Sequence, residues 1–113
     1  MAYQPRQKDI VWINFNPSKG HEIQKRRPAL IVSSDDYNHA THFVIVCPIT
    51  NTKRKLKTHL RLKGYQTTGQ VMTQQMYSLD VTEAGGREIQ YIERLSKKDF
   101  HLIKQLIQYN FDF

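Results

Sequence analysis

At 113 residues, with one cysteine and no apolar run near the ~20 residues of a membrane helix, the chain is expected to be a single domain, 1–113. A disulfide framework, a membrane span and a signal segment are all excluded as expectations, which places the protein in the cytoplasm. The formal charge is +7, and residues 19–63 carry all of the excess: ten lysines and arginines against three acids, with seven of each sign elsewhere. Between Asp36 and Asp80 there is no carboxylate, so the middle of the chain presents a one-sign field suited to a polyanion, with nucleic acid the leading class of partner.

Residues 10–15 mix β-branched and aromatic side chains with the polar Asn14, as a strand with a buried face does. Residues 16–20, Asn-Pro-Ser-Lys-Gly, break it. Then Gly20-His21-Glu22-Ile23-Gln24-Lys25-Arg26-Arg27-Pro28 gathers three cations, an imidazole and a carboxylate between two apolar runs. This stretch predicts a loop joining two strands, displaying acid–base groups and guanidiniums of the kind phosphodiester chemistry needs. Residues 29–33 predict a second strand, stiffened at its entry by Pro28 and apolar enough to lie centrally in a sheet. Ser34 or an Asp after it would cap a short helical turn over 34–38. Residues 43–49 form the third and most hydrophobic strand, with Cys47 inside it as a buried small hydrophobe rather than a nucleophile. Its polar end, Pro48-Ile49-Thr50-Asn51-Thr52, is a second place for chemistry.

The cationic run Lys53-Arg54-Lys55-Leu56-Lys57 is expected on a solvated loop. Residues 58–62 predict a strand with Leu60 and Leu62 on one face, and Gly64 and Gly69 bracket a polar turn. Residues 70–79 read as strand, with Val71 and Thr73 on one face and Met72 on the other, interrupted at Gln74-Gln75. A buried glutamine must have its amide bonds met, so one of that pair should be a structural bridge or face a site. Residues 88–94 alternate as a last strand, with Ile89 and Tyr91 sharing a face. Ser96 then caps an amphipathic helix over 97–109, whose stripe of Phe100, Ile103, Leu106, Ile107 and Phe111 closes the core. Five or more short strands and one terminal helix describe a mainly β protein, a small antiparallel barrel or curled sheet. The ten acids are scattered and no His or Cys falls at ligand spacing, so neither a metal nor another cofactor is expected.

Five segments, in this order and spacing, resemble the MazF/PemK (Kid) toxins, the mRNA interferases of bacterial type II toxin–antitoxin systems. They are Asp9-Ile10-Val11-Trp12, Asn16-Pro17-Ser18-Lys19-Gly20-His21-Glu22, Arg27-Pro28-Ala29-Leu30-Ile31-Val32-Ser33, Val46-Cys47-Pro48-Ile49-Thr50 and Gln75-Met76-Tyr77-Ser78-Leu79-Asp80. The resemblance covers nearly the whole chain from Asp9 onward. It implies an SH3-like small barrel with a C-terminal helix, a homodimer, and sequence-specific, metal-independent endoribonuclease activity on single-stranded mRNA that stops translation and growth. It also implies a cognate antitoxin that lays an extended or helical segment over the RNA groove, contact with DNA arising only through that antitoxin. The family's catalytic Arg falls on Arg27 and its catalytic Thr on Thr50, while the catalytic His of the Kid-like branch falls on His21. The Arg and Asp which that branch uses on a later strand fall on Met72 and Gln74, a departure that favours the MazF-type pair.

The implied reaction is attack of the substrate's own 2′-hydroxyl on the adjacent phosphorus, giving a 2′,3′-cyclic phosphate and a 5′-hydroxyl. Arg27 would give planar, bidentate donors to the phosphate oxygens and Thr50 one hydrogen bond, with either Glu22 or His21 as base. RNA-binding candidates are Lys19, Gln24, Lys25, Arg26, Lys53, Arg54, Lys55 and Gln75, with base-reading residues expected near 53–57 and 66–70. Competing classes are a non-catalytic nucleic-acid or protein-binding module and a gyrase-poisoning toxin of similar fold; Arg27 together with Thr50 argues against both. Tyr109, Phe111 and Phe113, with Tyr37 and Phe43, offer apolar surface for a twofold interface.

Overall fold

The central strand pair explains most of the fold. β1 (Asp9–Asn14) is buried at every position except Trp12, which a strand can manage only by having an apolar layer on both faces. It pairs antiparallel with β2 (Arg26–Ile31) on one side and, later in the chain, with β7 (Ile89–Arg94) on the other. The computed structural model describes residues 3–15, 26–52, 56–82 and 88–112. Between β2 and β7 come α1 (Asp35–Thr41), β3 (Phe43–Thr50), β4 (His59–Arg61), β5 (Gln70–Met72) and β6 (Tyr77–Asp80), and α2 (Lys97–Phe111) ends the chain. Among the described residues, no helix is long and apolar enough to cross a membrane.

Two expectations need correcting here. The loop foreseen over 20–28 stops short of its last three residues: Arg26, Arg27 and Pro28 are strand residues, paired with Asn14, Ile13 and Trp12. Pro28 is tolerated because β2 takes up β3 as its second neighbour only from Ala29 onward, so the missing N–H falls at the strand's less paired end. The single strand foreseen over 70–79 is two strands. The eight-residue β3 takes different partners along its length, β6 against Phe43–Val46 and β5 against Ile49–Thr50, so the chain must leave one register and enter the other. Val71, Met72 and Thr73 are consequently all buried instead of alternating, and the Thr73 hydroxyl donates to the Thr58 carbonyl at 2.5 Å.

The sheet divides two apolar layers. Ile10, Leu30, Cys47, Ile49, Leu62 and Val71 face Leu95, Phe100 and Ile103, so α2 packs over this side. Val11, Ile13, Ala29, Ile31, Val44, Val46 and Leu79 form the second layer, with Tyr3, Phe15, Val81 and Ile89 packed against it. Ser34 caps α1 by accepting from the Tyr37 amide at 3.1 Å, and Ser96 caps α2 by accepting from Asp99 at 3.1 Å, both as the sequence suggested. Phe111 departs from its expected place in the core stripe: α2 runs on to this residue, past the sheet that its earlier turns cover, and leaves the ring 54% exposed.

The strand order β4-β5-β3-β2-β1-β7, with β6 also on β3, makes a curled seven-stranded sheet with β4 and β7 as its edges. Side chains bridge the gap that strand pairing leaves. Glu93 on β7 accepts from the Gln66 amide at 3.0 Å and from the amide and hydroxyl of Thr67 at 2.7 and 2.8 Å. Tyr65 in the same turn donates to Asp99 at 2.6 Å. Burial opposes the charge on Glu93, yet these hydrogen bonds outweigh it and hold the carboxyl below its ordinary range. Near the start of the chain, the buried Asp9 accepts from the Tyr3 hydroxyl, from the Arg6 amide at 3.2 Å and from Arg94 at 2.9 Å. Burial first, and then the Asp9 carboxylate, push the Tyr3 hydroxyl far above its usual value, so it serves as a fixed donor.

Candidate nucleic-acid interface

Neighbouring residues on a strand point to opposite faces, and this separates the two arginines of β2. Arg26 shares the Trp12 face: its guanidinium lies 5.7 Å from the Trp12 ring centre and donates to the Gln90 side chain. Arg27 shares the face of Ala29 and Ile31, at that layer's exposed end. Among the described residues, the Arg27 guanidinium makes no hydrogen bond or ion pair. Arg26 and Arg27, grouped together on sequence grounds, thus belong to different surfaces.

Thr50 belongs to the Arg27 face. The β2–β3 register ends where Ala29 pairs with Pro48, and by strand alternation Arg27 and Thr50, each two residues beyond that pair, lie on the same face of the sheet. The Thr50 hydroxyl oxygen already accepts from the Thr52 amide at 3.1 Å, which leaves its proton to be donated outward. Its backbone is wedged by Gly69. A Cβ at that position would lie 2.4 Å from the Thr50 carbonyl oxygen, and φ of +115° is a conformation other residues rarely take. Beyond Thr50 the row continues, because Thr50 pairs with Gln70 and Gln70 with Arg61. Thr50, Gln70 and Arg61 therefore form one cross-strand line over three strands, about 10 Å long at the usual strand spacing, with Arg27 on the same face of the sheet.

Gln75 lies outside the strands; its side-chain oxygen accepts from the Tyr77 hydroxyl at 3.3 Å, and Tyr77 packs edge-on against Phe15 at 5.3 Å. Both glutamines are exposed, contrary to the burial the sequence suggested, yet Gln74 still bridges Thr58 to His59. Lys19, His21, Glu22, Gln24, Lys25, Lys53, Arg54 and Lys55 fall outside the described residues. Asp35 and Asp36, the one adjacent acidic pair, belong to the first turn of α1, where Asp35 accepts from the Gln7 amide at 2.8 Å. Among the described residues, no three His, Cys, Asp or Glu side chains cluster as metal ligands. The sequence did not single out His59, Arg61 or Gly69 as site residues. The β3–β5 pairing sets Gly69 against Thr50, and the β4–β5 pairing places Arg61 and His59 one strand further out; neither register can be counted off the sequence.

The curled sheet of this strongly basic chain carries on one face a guanidinium with no partner among the described residues and a hydroxyl donor, and so defines a small basic β-domain. Residues 6–111 match the family model described as PemK-like, MazF-like toxin of type II toxin-antitoxin system. The chain belongs to that family. It is 30% identical over 77 residues to the endoribonuclease toxin MazF of Escherichia coli, covering 68% of this chain and 69% of that one. Its fold matches the crystal structure of MazF from Deinococcus radiodurans with a TM-score of 0.81 and 25% identity, over 99% of this chain and 100% of the other. A MazE-MazF structure from the same organism superposes at a TM-score of 0.83 and 24% identity, over 98% and 99% of the two chains, a likeness of fold.

Proposed function

We propose that this chain is the toxin of a type II toxin–antitoxin pair and that it cuts single-stranded mRNA by metal-independent transesterification. The observation that carries the reading is that Arg27, uncommitted among the described residues, shares a sheet face with a Thr50 hydroxyl whose oxygen is occupied and whose proton is available. In the proposed reaction the substrate's 2′-oxygen loses its proton to Glu22 or His21 and bonds to phosphorus. The bond from phosphorus to the 5′-oxygen breaks, and that oxygen takes up a proton from solvent water as it leaves. The products are a 2′,3′-cyclic phosphate and a 5′-hydroxyl. Arg27 holds two oxygens of the crowded phosphorane and Thr50 makes a third hydrogen bond, both aimed where charge develops. Arg27 and Thr50 are fixed on strands, so this half of the site needs no ordering when substrate arrives.

The same reading includes a homodimer and an antitoxin. Tyr109, 67% exposed, and Phe111 project at the end of α2 and with Thr73, Gln74 and Met76 line a cavity of about 770 Å³ that a second copy would fill. A disordered antitoxin segment competing for the basic face would shut off cleavage by covering Arg27. The test is incubation of purified protein with a long RNA and with DNA of the same sequence, in the presence of a chelator, followed by analysis of fragment ends. RNA-only cleavage with cyclic phosphate and 5′-hydroxyl ends is expected. No cleavage at equimolar protein would replace the nuclease with a binding module.

A further inference from the structure

We infer that Gln70, held in place by His59, reads a base beside the cleaved bond and selects a keto group, as on uracil or guanine, over an amino group, as on cytosine or adenine. The inference rests on the single-stranded RNA reading above and adds the residue and the chemistry of its sequence choice. Residues directly opposed in an antiparallel ladder project to the same face, so Gln70 stands one strand spacing, about 5 Å, from Thr50. A nucleotide whose phosphate meets Thr50 therefore passes over Gln70, with Arg61 next in the row.

A free glutamine can turn either end of its amide to a ligand and so distinguishes little. Here one end is fixed by a chain of hydrogen bonds. The Thr58 hydroxyl donates to Gln74 Oε1 at 2.9 Å, which turns the Gln74 amide nitrogen toward His59 Nε2, 2.9 Å away. An amide NH₂ only donates, so Nε2 of the ring accepts and the ring proton sits on Nδ1. That proton is donated to Gln70 Oε1 at 2.7 Å. The Gln70 oxygen is thus occupied and its NH₂ group is the end left to face a ligand, with no partner among the described residues. A donor meets the exocyclic oxygen of uracil or guanine and opposes the exocyclic NH₂ of cytosine or adenine. Gln70 and His59 are both half-buried, which suits a group that is held still and yet reachable.

Cleavage of a random-sequence RNA pool, with fragment ends sequenced, tests this for wild type, Gln70→Ala, Gln70→Glu and His59→Phe, thermal melting confirming that each variant is folded. Wild type should prefer uracil or guanine at one position of its site by about three- to tenfold, the value of one hydrogen bond. Gln70→Ala should erase that preference, Gln70→Glu should turn it toward cytosine or adenine, and His59→Phe should blunt it. Binding of short oligo(2′-deoxyuridine) and oligo(2′-deoxycytidine) strands, which lack the attacking 2′-hydroxyl, gives a readout independent of cleavage and of where a cut would fall. If wild type cuts no RNA, the nuclease reading fails, and this binding comparison still decides the base preference. Identical profiles for wild type and Gln70→Ala, or a wild-type preference for an amino base there, would overturn the inference.

Discussion

Arg27 is held by a strand whose last three residues, Ala29, Leu30 and Ile31, are fully buried, which anchors its backbone while its side chain stays exposed. Removing the guanidinium should then cost catalysis and not stability. Arg27→Ala is expected to lower kcat at least ~100-fold, the usual effect of deleting a transition-state donor, with the melting temperature within error of wild type. Thr50→Val should slow turnover as well, since it keeps the shape and loses the proton. Gly69→Ala reaches the same hydroxyl from behind. The added methyl must displace the Thr50 carbonyl or force Gly69 from its φ of +115°, so both stability, by about 1 kcal/mol or more, and cleavage should fall. Denaturant melts paired with single-turnover kinetics would separate the two effects. At this scale the sequence named Arg27 and Thr50 as candidates by motif, yet assigned Arg27 to a loop that the structure makes strand. It could not show that Gln70 and Arg61 line up with Thr50, because that depends on how strands distant in the chain pair with one another.

The β4–β5 hairpin and β7 are edge elements that ladder hydrogen bonds do not join, and Glu93 holds them together through three donors on Gln66 and Thr67. Its pKa is depressed on folding, so the contribution to stability is present above the unfolded value, about 4.3, and is lost as pH falls through the lower folded value. Glu93→Gln should therefore melt below wild type near neutral pH, and the difference should shrink as the pH is taken into the acid range. An unchanging difference from about pH 7 to about pH 3 would mean that the charge plays no part. Strands and helices were largely legible as elements, and both serine caps follow from local chemistry, but the simple alternation expected of β7 is broken: its register with β1 shifts at Ile10 and Val11, and Tyr91 is exposed where Ile89 is half-buried. What escaped was the break between β5 and β6. Two apolar segments separated by Gln74-Gln75 look like one interrupted strand until it is known that β3 offers them different partners.

For the molecule as a whole, the charge distribution and the apolar end of α2 set its encounters. RNA binding should weaken steeply with salt, and charge reversal at Lys53, Arg54 and Lys55 should reduce the log–log slope by close to one for each phosphate no longer neutralised, without altering the cleavage ends. A slope equal to wild type would show that this run faces away from the RNA. Light scattering at micromolar concentration should give twice the 13.4 kDa chain mass, and Tyr109→Glu with Phe111→Glu should return it to the monomer value. The asymmetry of charge can be counted directly from the residues. The exposure of Phe111 could not, since its spacing continues the core stripe and only the extent of the sheet beneath the helix leaves it uncovered.

Cys47 lies in β3 at the middle of the sheet, fully buried, and burial pushes its thiol up to about 12. Thiolate, the species that alkylating reagents attack, is thus scarce and out of reach in the native state. The sole cysteine is therefore an internal clock for opening of the fold: the rate at which it is labelled measures how often β2, β3 and β5 come apart. Antitoxin or RNA bound to the folded face should slow that rate in proportion to its affinity, which makes a label-free partner titratable through a single atom of sulfur.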